Sequence, residues 1–184
     1  MMVSVDDAVG RVREAMEGRG RWDESVVVFF NDNGGNVWEG GRNVPFRGGK
    51  MSSFEGGVRA TGLVKFPKSE GERVPARFEG LSHVSDVMPT VLGYVDRLSG
   101  EGRTFPDGDA ELGRGYDLSV PLLGAEGGGG KMREDVLMQY EPSTDRLGYR
   151  WKDWKLVQGQ IGDPRRFAEP QSDGEWIGDT FHDR

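Results

Sequence analysis

A run of five apolar residues at 26–30, VVVFF, places the tightest limit on how this chain can fold. Because the run is continuous, rich in β-branched side chains and bounded by polar residues, it predicts a strand covered on both faces. An amphipathic helix precedes it: Ser4 and Asp7 have the spacing of a capping box, and glycines at 18 and 20 end the helical pattern. A helix, a short loop and a buried strand are typical of βαβ sheets, whose ligands gather beyond the carboxyl ends of the strands. We therefore expect functional residues directly after Phe30.

The segment that follows, 31–50, is rich in glycine and has no apolar periodicity: NDNGGNVWEGGRNVPFRGGK. Asp32 and Asn33 stand between the predicted strand and two glycines, so their oxygens can face one crevice, as a Ca²⁺ or Mg²⁺ site requires. The alternative is a plain Asx turn, which spacing alone favours because Asn, Asp and Gly form turns without a metal. The residues by themselves leave both interpretations open.

Lys50 closes the same segment, directly after two glycines. A lysine on a glycine-flanked loop can bind an oxyanion as a point charge. The commoner alternative is a loop lysine that only faces solvent. The segment is not a P-loop, because Val44 and Met51 occupy positions at which that motif needs a glycine and a hydroxyl side chain.

Beyond residue 50 the pattern predicts a strand at 58–66 and a helix that Ser85 caps, with an apolar face through 87–98 and Pro89 in its first turn. Strands at 135–141 and 149–157, the latter with a hairpin turn at 152–153, indicate a small antiparallel unit. Four consecutive glycines within 126–131 indicate a linker or domain edge. We therefore predict one domain at 1–124 and a partial second one at 125–184.

Three charged or titratable side chains have simple structural interpretations. Glu55 and Arg59 could form an ion pair, but the sequence gives no further reason for one, so we interpret them as exposed charges. His83 precedes the second predicted helix and has no other histidine near it in the sequence. We therefore expect a structural role for His83 and not a metal ligand.

Composition argues against several classes of function. The net charge is −7 and the longest basic run is two residues, which argues against a nucleic-acid partner. With no Cys and only two His, a metal site must use oxygen ligands, which favours Ca²⁺ or Mg²⁺. No segment reaches the roughly 18 apolar residues of a membrane span, and the start lacks a signal-peptide pattern. Because 30 of the 184 residues are glycine, large apolar side chains are few, and we expect part of a larger fold.

Five segments, taken in order, resemble the type I sulfatases of the alkaline-phosphatase-like superfamily. Residues 2–10 resemble the helix before a late metal-binding strand, and 26–35 (VVVFFNDNGG) resemble that strand and its metal loop. Residues 45–64 (PFRGGKMSSFEGGVRATGLV) are similar to the family's Arg-Gly-x-Lys and Glu-Gly-Gly-x-Arg series, 81–92 (LSHVSDVMPTVL) to its His-x-x-Asp-x-x-Pro-Thr helix, and 115–124 to its Gly-x-x-Leu segment. The sequence at 40–50 (GGRNVPFRGGK) looks closest to the arylsulfatase B group, the N-acetylgalactosamine-4-sulfatases. The resemblance is strong over 2–98, fair to 157 and absent in the tail.

The resemblance implies an α/β fold: the later part of a sulfatase catalytic domain over 1–124, then the start of a small antiparallel carboxy-terminal domain over 125–184. It implies Ca²⁺-dependent hydrolysis of a sulfate ester on a small molecule or glycan. By the family pattern Asp32 and Asn33 would be two Ca²⁺ ligands, and Lys50 would contact the sulfate or its bridging oxygen. Members of the family are usually lysosomal, secreted or periplasmic, so the resemblance leaves the compartment unassigned.

The chain also departs from the family pattern. Sulfatases form a formylglycine nucleophile from the Cys or Ser of Cys/Ser-x-Pro-Ser/Ala-Arg, and this sequence has no Cys. Its nearest string, Ser119-Val-Pro-Leu-Leu, lacks the arginine. We therefore expect a fragment without the amino-terminal half of the enzyme, inactive by itself. A non-catalytic truncated remnant, and a phosphate or phosphonate ester hydrolase of the same superfamily, are the alternatives.

Overall fold

The computed structural model describes residues 2–74, 77–101, 115–124 and 132–159. The chain divides into two compact units: unit 1 comprises Met1–Phe29 and Leu63–Arg133, and unit 2 comprises Phe30–Gly62 and Glu134–Arg184. The predicted boundary at 124 borders residues 125–131, which lie outside the described ranges, so it stays a prediction. Besides short 3₁₀ turns, the helices and strands are, in chain order, α1 Met2–Glu17, β1 Val27–Phe30, α2 Glu55–Val58, β2 Gly62–Lys65, α3 Val87–Ser99, α4 Ser119–Leu122, β3 Asp135–Glu141, β4 Arg146–Trp151 and β5 Trp154–Gln158.

Helix α1 confirms the predicted amphipathic helix but begins earlier than expected. It starts at Met2 and ends at Glu17, directly before Gly18. Ser4 therefore lies inside the first turn and does not cap the helix, because Met2 and Val3 can both adopt helical backbone. Val12, an apolar residue of this helix, is 58% exposed.

Strand β1 lies within the predicted run, but the expectation that it is covered on both faces is wrong. Three of its residues are half-buried, and Phe30 is 45% exposed. Among the described residues β1 pairs only with β2, whose Leu63 and Val64 are themselves exposed. Strand β2 is shorter than the predicted strand at 58–66: Val58 is the last residue of the helical turn α2, and strand pairing begins only at Gly62.

An aromatic pair lies at the centre of the core of unit 1. Tyr94 of α3 packs against Phe66 with 5.0 Å between the ring centroids, and its hydroxyl donates a hydrogen bond of 2.9 Å to Glu70. Burial, reinforced by that hydrogen bond, raises the pKa of Tyr94 to about 12. Leu123 completes the buried cluster, and the partly buried side chains packed against it are Val26, Val74 and Leu122.

Helix α3 follows a short 3₁₀ turn, Val84–Asp86, and His83 stands at the N-cap of that turn. The prediction that Ser85 is the cap is wrong, because Nδ1 of His83 accepts the backbone N–H of Ser85 at 3.3 Å. The backbone N–H of His83 in turn donates to the Asp86 carboxylate at 2.7 Å. Pro89 lies in the first turn of α3, as predicted.

The Asp86 carboxylate is a buried centre of hydrogen bonding in unit 1. Its side chain is 3% exposed, and that of its ion-pair partner Arg133 is 8% exposed. Nε of Arg133 donates to Oδ2 at 2.9 Å, and the backbone N–H of Tyr116 donates to Oδ1 at 2.8 Å. The carboxylate therefore joins the start of α3 to two segments that are distant in the sequence.

The antiparallel sheet of unit 2 confirms the prediction for the carboxy-terminal strands. Its order is β3–β4–β5, and a two-residue turn at 152–153 joins β4 to β5. The register places Gln139 opposite Gly148, and Arg150 opposite Lys155. A bulge between Leu137 and Gln139 shifts the pairing within β3.

Close contact between glycines folds the 30–62 part of unit 2. The backbone N–H of Gly34 donates to the carbonyl of Gly57 at 2.8 Å, and that of Gly56 donates to the carbonyl of Arg47 at 2.7 Å. A Cβ on Gly34 would lie 1.7 Å from the carbonyl oxygen of Gly56. The two backbones can therefore meet only where side chains are absent.

No helix among the described residues combines the length and the apolar character that crossing a membrane requires.

The His83 cap predicts a pH dependence of folding. Burial, together with the positive charge of Arg133, lowers the pKa of His83, although Asp86 opposes this shift. The folded state thus favours the neutral imidazole. The stability that this neutral imidazole contributes is complete above the ordinary pKa of about 6.5 and is lost as the pH falls below that value. We expect the urea concentration at the unfolding midpoint of the native chain to decrease when the pH is lowered from roughly 7.5 to 5.5.

His83→Asn keeps a capping acceptor but cannot titrate, so its urea midpoint should fall less over the same pH range. His182→Asn is the matched control, because it removes the other imidazole. A His83→Asn profile as steep as that of the native chain would contradict the prediction.

Gly34→Ala should separate the two glycine-rich backbones, because the added methyl group has no room beside Gly56. We expect a loss of about 3 kcal/mol in the free energy of unfolding, measured by chemical denaturation. Gly62→Ala is the control: nothing lies within 4 Å of its added Cβ, so its effect should stay within about 0.5 kcal/mol. Equal effects of the two substitutions would refute the packing argument.

Candidate functional site

Asp32 and Asn33 form a turn directly after β1, in unit 2. Oδ1 of Asp32 accepts the backbone N–H of Asn33 at 2.8 Å, and Nδ2 of Asn33 donates to the carbonyl of Gly34 at 2.8 Å. Asp32 is exposed and Asn33 is half-buried. Each side chain of the pair therefore hydrogen bonds to the backbone of the next residue, while Asp32 stays accessible to solvent.

The Asn43 side chain crosslinks the loop that carries this turn. Its Oδ1 accepts the backbone N–H of Gly35 at 2.8 Å, and its Nδ2 donates to the carbonyls of Gly35 at 3.0 Å and Gly48 at 3.1 Å. The oxygen and the nitrogen of this one side-chain amide thus hold two glycine segments together. Sequence reasoning missed Asn43, since nothing in its neighbourhood distinguishes it from other loop asparagines.

The backbone at Lys50 lies against Gly35, two residues after Asn33. The N–H of Lys50 donates to the carbonyl of Gly35 at 3.1 Å. The loop reaches this position through left-handed backbone on either side of Lys50, at Gly48 (φ 80°) and Met51 (φ 76°). The Lys50 side chain is exposed, so its ammonium group is accessible to a ligand.

Ser52 closes the turn that follows Lys50. Its hydroxyl donates to the carbonyl of Gly49 at 2.8 Å, and its backbone N–H donates to the same carbonyl at 3.0 Å. Because Ser52 is 6% exposed, water competes little for these bonds. Lys50 is therefore carried by a short turn with internal hydrogen bonds.

Glu55 is not the simple exposed charge that the sequence suggested. Its side chain is 26% exposed and lies 2.8 Å from Nζ of Lys155 and 3.3 Å from a terminal guanidinium nitrogen of Arg150. Arg59, the predicted alternative partner, is farther away at 3.9 Å. The two closer cations could not be found by reading local spacing, because they lie about a hundred residues away in the sequence.

The oxygen donors at the turn fit part of a site for a hard cation. A carboxylate and an amide oxygen are the ligand types that Ca²⁺ prefers, and six to eight such ligands are usual. Within the described ranges no group of three or more His, Cys, Asp or Glu side chains lies close enough together to hold a metal. Asp32 and Asn33 can therefore provide two ligands of such a cation, and further ligands would have to come from elsewhere.

Comparison with known sequences identifies relatives over most of the chain. The profile of the Sulfatase family matches residues 1–96. The chain is 33% identical over 180 residues to arylsulfatase J of Mus musculus, a match that covers 88% of this chain and 28% of that protein. It is 30% identical over 149 residues to arylsulfatase A of Homo sapiens, covering 79% of this chain and 26% of that protein.

Two solved structures also match most of this chain in fold. PsFucS1 sulfatase from Pseudoalteromonas sp. matches with a TM-score of 0.61 and 29% identity over 85% of this chain and 29% of that one. Ps i-CgsB, solved with k-i-k-neocarrahexaose, matches in fold with a TM-score of 0.63 and 24% identity over 87% of this chain and 33% of that one.

These matches confirm the predicted fold class, and the likeness to the arylsulfatase B group in particular stays a prediction. The chain spans a third or less of the length of each of these proteins. Since the family profile covers more than half of its residues, the chain belongs to the sulfatase family.

Proposed function

We propose that this chain supplies the calcium-binding and sulfate-contacting loops of a sulfate ester hydrolase. The observation that carries the proposal is the hydrogen bond from the backbone N–H of Lys50 to the carbonyl of Gly35. It holds the backbone of Lys50 beside the segment that contains Asp32 and Asn33. A metal ion and a positive side chain both stabilise the charge of an anionic ester, and these two segments can provide ligands for the metal and the side chain.

Asp32 and Asn33 are the proposed ligands of Ca²⁺. A bound calcium ion would neutralise negative charge on sulfate oxygens. Asp32 contributes an exposed carboxylate to this role, while Asn33 contributes an amide oxygen whose orientation is fixed by the hydrogen bond from its Nδ2 to the Gly34 carbonyl.

Lys50 is the proposed contact to the ester itself. Its ammonium group would stabilise charge that develops on the oxygen leaving sulfur, which is the electrostatic contribution expected of a preorganised cation. The left-handed backbone at Gly48 and Met51 fixes the course of the loop on both sides of it. Such preorganisation lowers the cost of holding the cation in place.

The proposed substrates are sulfate esters of small molecules or glycans. Among the relatives, the names of arylsulfatase J and PsFucS1 sulfatase denote sulfatases, and N-acetylgalactosamine-6-sulfatase of Homo sapiens matches 34% of this chain at 36% identity. Hydrolysis of the sulfate ester bond is the activity these names share. The particular ester is left open.

Calcium titration followed by NMR of the ¹⁵N-labelled full chain tests the metal assignment. We expect Ca²⁺ to shift the backbone amides of 31–35 with a weak dissociation constant of about 10⁻³ M, because the turn offers only two ligands. Asp32→Asn should abolish the saturable shift.

Asp153→Asn, at the exposed tip of the β4–β5 turn, removes the same charge and should leave the calcium response unchanged. The calcium role fails if both variants titrate like the native chain, or if Ca²⁺ shifts amides throughout the chain and not those of the turn.

The full chain should not hydrolyse an aryl sulfate by itself. The sequence has no Cys, and Ser119 lacks the arginine that follows the nucleophile in the family pattern. Without a nucleophile, positioning and electrostatics provide no covalent route. The measurement is phenol release from aryl sulfate, with aryl phosphate in parallel. Release that scales with protein concentration, survives purification and is lost in Lys50→Gln would overturn this prediction, and release from the phosphate alone would favour the phosphate ester alternative.

A further inference from the structure

Two cations stand directly opposite each other on neighbouring strands of the antiparallel sheet. Arg150 of β4 pairs with Lys155 of β5, so both side chains leave the same face of the sheet. Like charges in opposed positions destabilise an antiparallel pair. These two side chains are only 26% and 19% exposed, so solvent screens their repulsion incompletely. The hairpin therefore needs an anion on this face.

Glu55 provides that anion, from the segment that carries Lys50. One carboxylate oxygen accepts a hydrogen bond from Lys155 at 2.8 Å, and the other accepts one from Arg150 at 3.3 Å. The carboxylate thus bridges both strands of the hairpin. Because Glu55 is the first residue of α2, the bridge fixes the beginning of that helical turn against the sheet.

A second contact on the same face holds the same segment. The Ser53 hydroxyl hydrogen bonds to Gln139 of β3, and Ser53 is 3% exposed. Gly148, opposite Gln139 in the register, leaves the space: a Cβ there would lie 3.2 Å from that of Ser53. The 53–55 segment is therefore attached to all three strands of the sheet.

The attachment extends to Lys50 through a turn that is closed by its own hydrogen bonds. The hydroxyl and the backbone N–H of Ser52 both donate to the carbonyl of Gly49, and the N–H of Gly56 donates to Arg47. The backbone between Arg47 and Gly56 is thus closed by its own hydrogen bonds. We therefore expect a displacement at Glu55 to be transmitted to Lys50.

We propose that Glu55 is a positioning residue for Lys50: its bridge to Arg150 and Lys155 makes the antiparallel sheet the support on which the candidate sulfate contact is held. The choice of sulfate as the ligand of Lys50 rests on the proposed function. The mechanical coupling between Glu55 and Lys50 does not depend on it. It assigns to the carboxy-terminal strands a role in the site that their distance in the sequence conceals.

The proposal predicts that Glu55→Gln weakens sulfate binding, whereas long-range electrostatics alone would strengthen it. Glu55→Gln removes a negative charge from a chain of net charge −7, which alone should strengthen the binding of an anion. Loss of positioning should weaken it. A weaker affinity for sulfate in Glu55→Gln therefore cannot arise from the change in charge.

The test uses the ¹⁵N-labelled full chain titrated with sodium sulfate against sodium chloride at constant ionic strength. We expect Glu55→Gln to weaken the sulfate affinity measured at the Lys50 amide at least about fivefold, and to accelerate hydrogen exchange of that amide. Glu39→Gln, an exposed glutamate of the same unit, is the matched control and should change neither quantity in that direction.

A double variant separates positioning from stability. Adding Arg150→Gln to Glu55→Gln relieves the repulsion between opposed cations, so the urea midpoint should recover. The bridge is still missing, so sulfate affinity and exchange at Lys50 should stay impaired. Recovery of both Lys50 readouts together with the midpoint would overturn the proposal, since Glu55 would then only neutralise the hairpin.

Two further outcomes are decisive. If Glu55→Gln matches Glu39→Gln in both readouts, the proposal is wrong. If the native chain shows no saturable response to sulfate while exchange at Lys50 still accelerates in Glu55→Gln and not in Glu39→Gln, the positioning is supported, and it is the proposed function of Lys50 that fails.

Discussion

The backbone hydrogen bond from Gly34 to Gly57 is the constraint on which the candidate site depends. It requires two chain segments to approach so closely that Gly34 cannot carry a side chain, because an added Cβ would lie 1.7 Å from the carbonyl oxygen of Gly56. One segment presents Asp32 and Asn33, and the other carries Lys50. Glycine is therefore a packing requirement of the site at positions 34, 48, 49, 56 and 57. The flexibility that glycine has in an unfolded chain is lost here to a network of backbone hydrogen bonds.

Features governed by neighbouring residues could be predicted from the sequence. The alternation of side chains at 135–141 and 149–157, with a turn at 152–153, located the three antiparallel strands. The order of a strand, an Asp-Asn-Gly-Gly turn and a returning lysine indicated which residues to examine, and the backbone contact of Lys50 with Gly35 agrees with that order. The roles of Asp32, Asn33 and Lys50 toward metal and sulfate came from resemblance, and they stay proposals.

Features governed by distant partners could not be predicted. Glu55 was interpreted as exposed because Arg150 and Lys155 are far away in the sequence, and no local pattern points to them. Asp86 likewise pairs with Arg133 across a long separation in the sequence, which no local pattern indicates. The burial of β1 was overestimated for a related reason: an apolar run indicates what a strand could bury, whereas the actual cover depends on its neighbours.

The two-residue turn at 152–153 has a consequence for how this protein can vary. Side chains alternate between the faces of β5, so that Lys155 faces Glu55 while Trp154, which is 75% exposed, lies on the opposite face. Inserting or deleting one residue in the turn would shift the register by one and exchange the faces of the strand. An aromatic ring would then meet the carboxylate, and the ammonium group would point away. The length of the hairpin turn must therefore be kept at this position, although the turn itself is exposed.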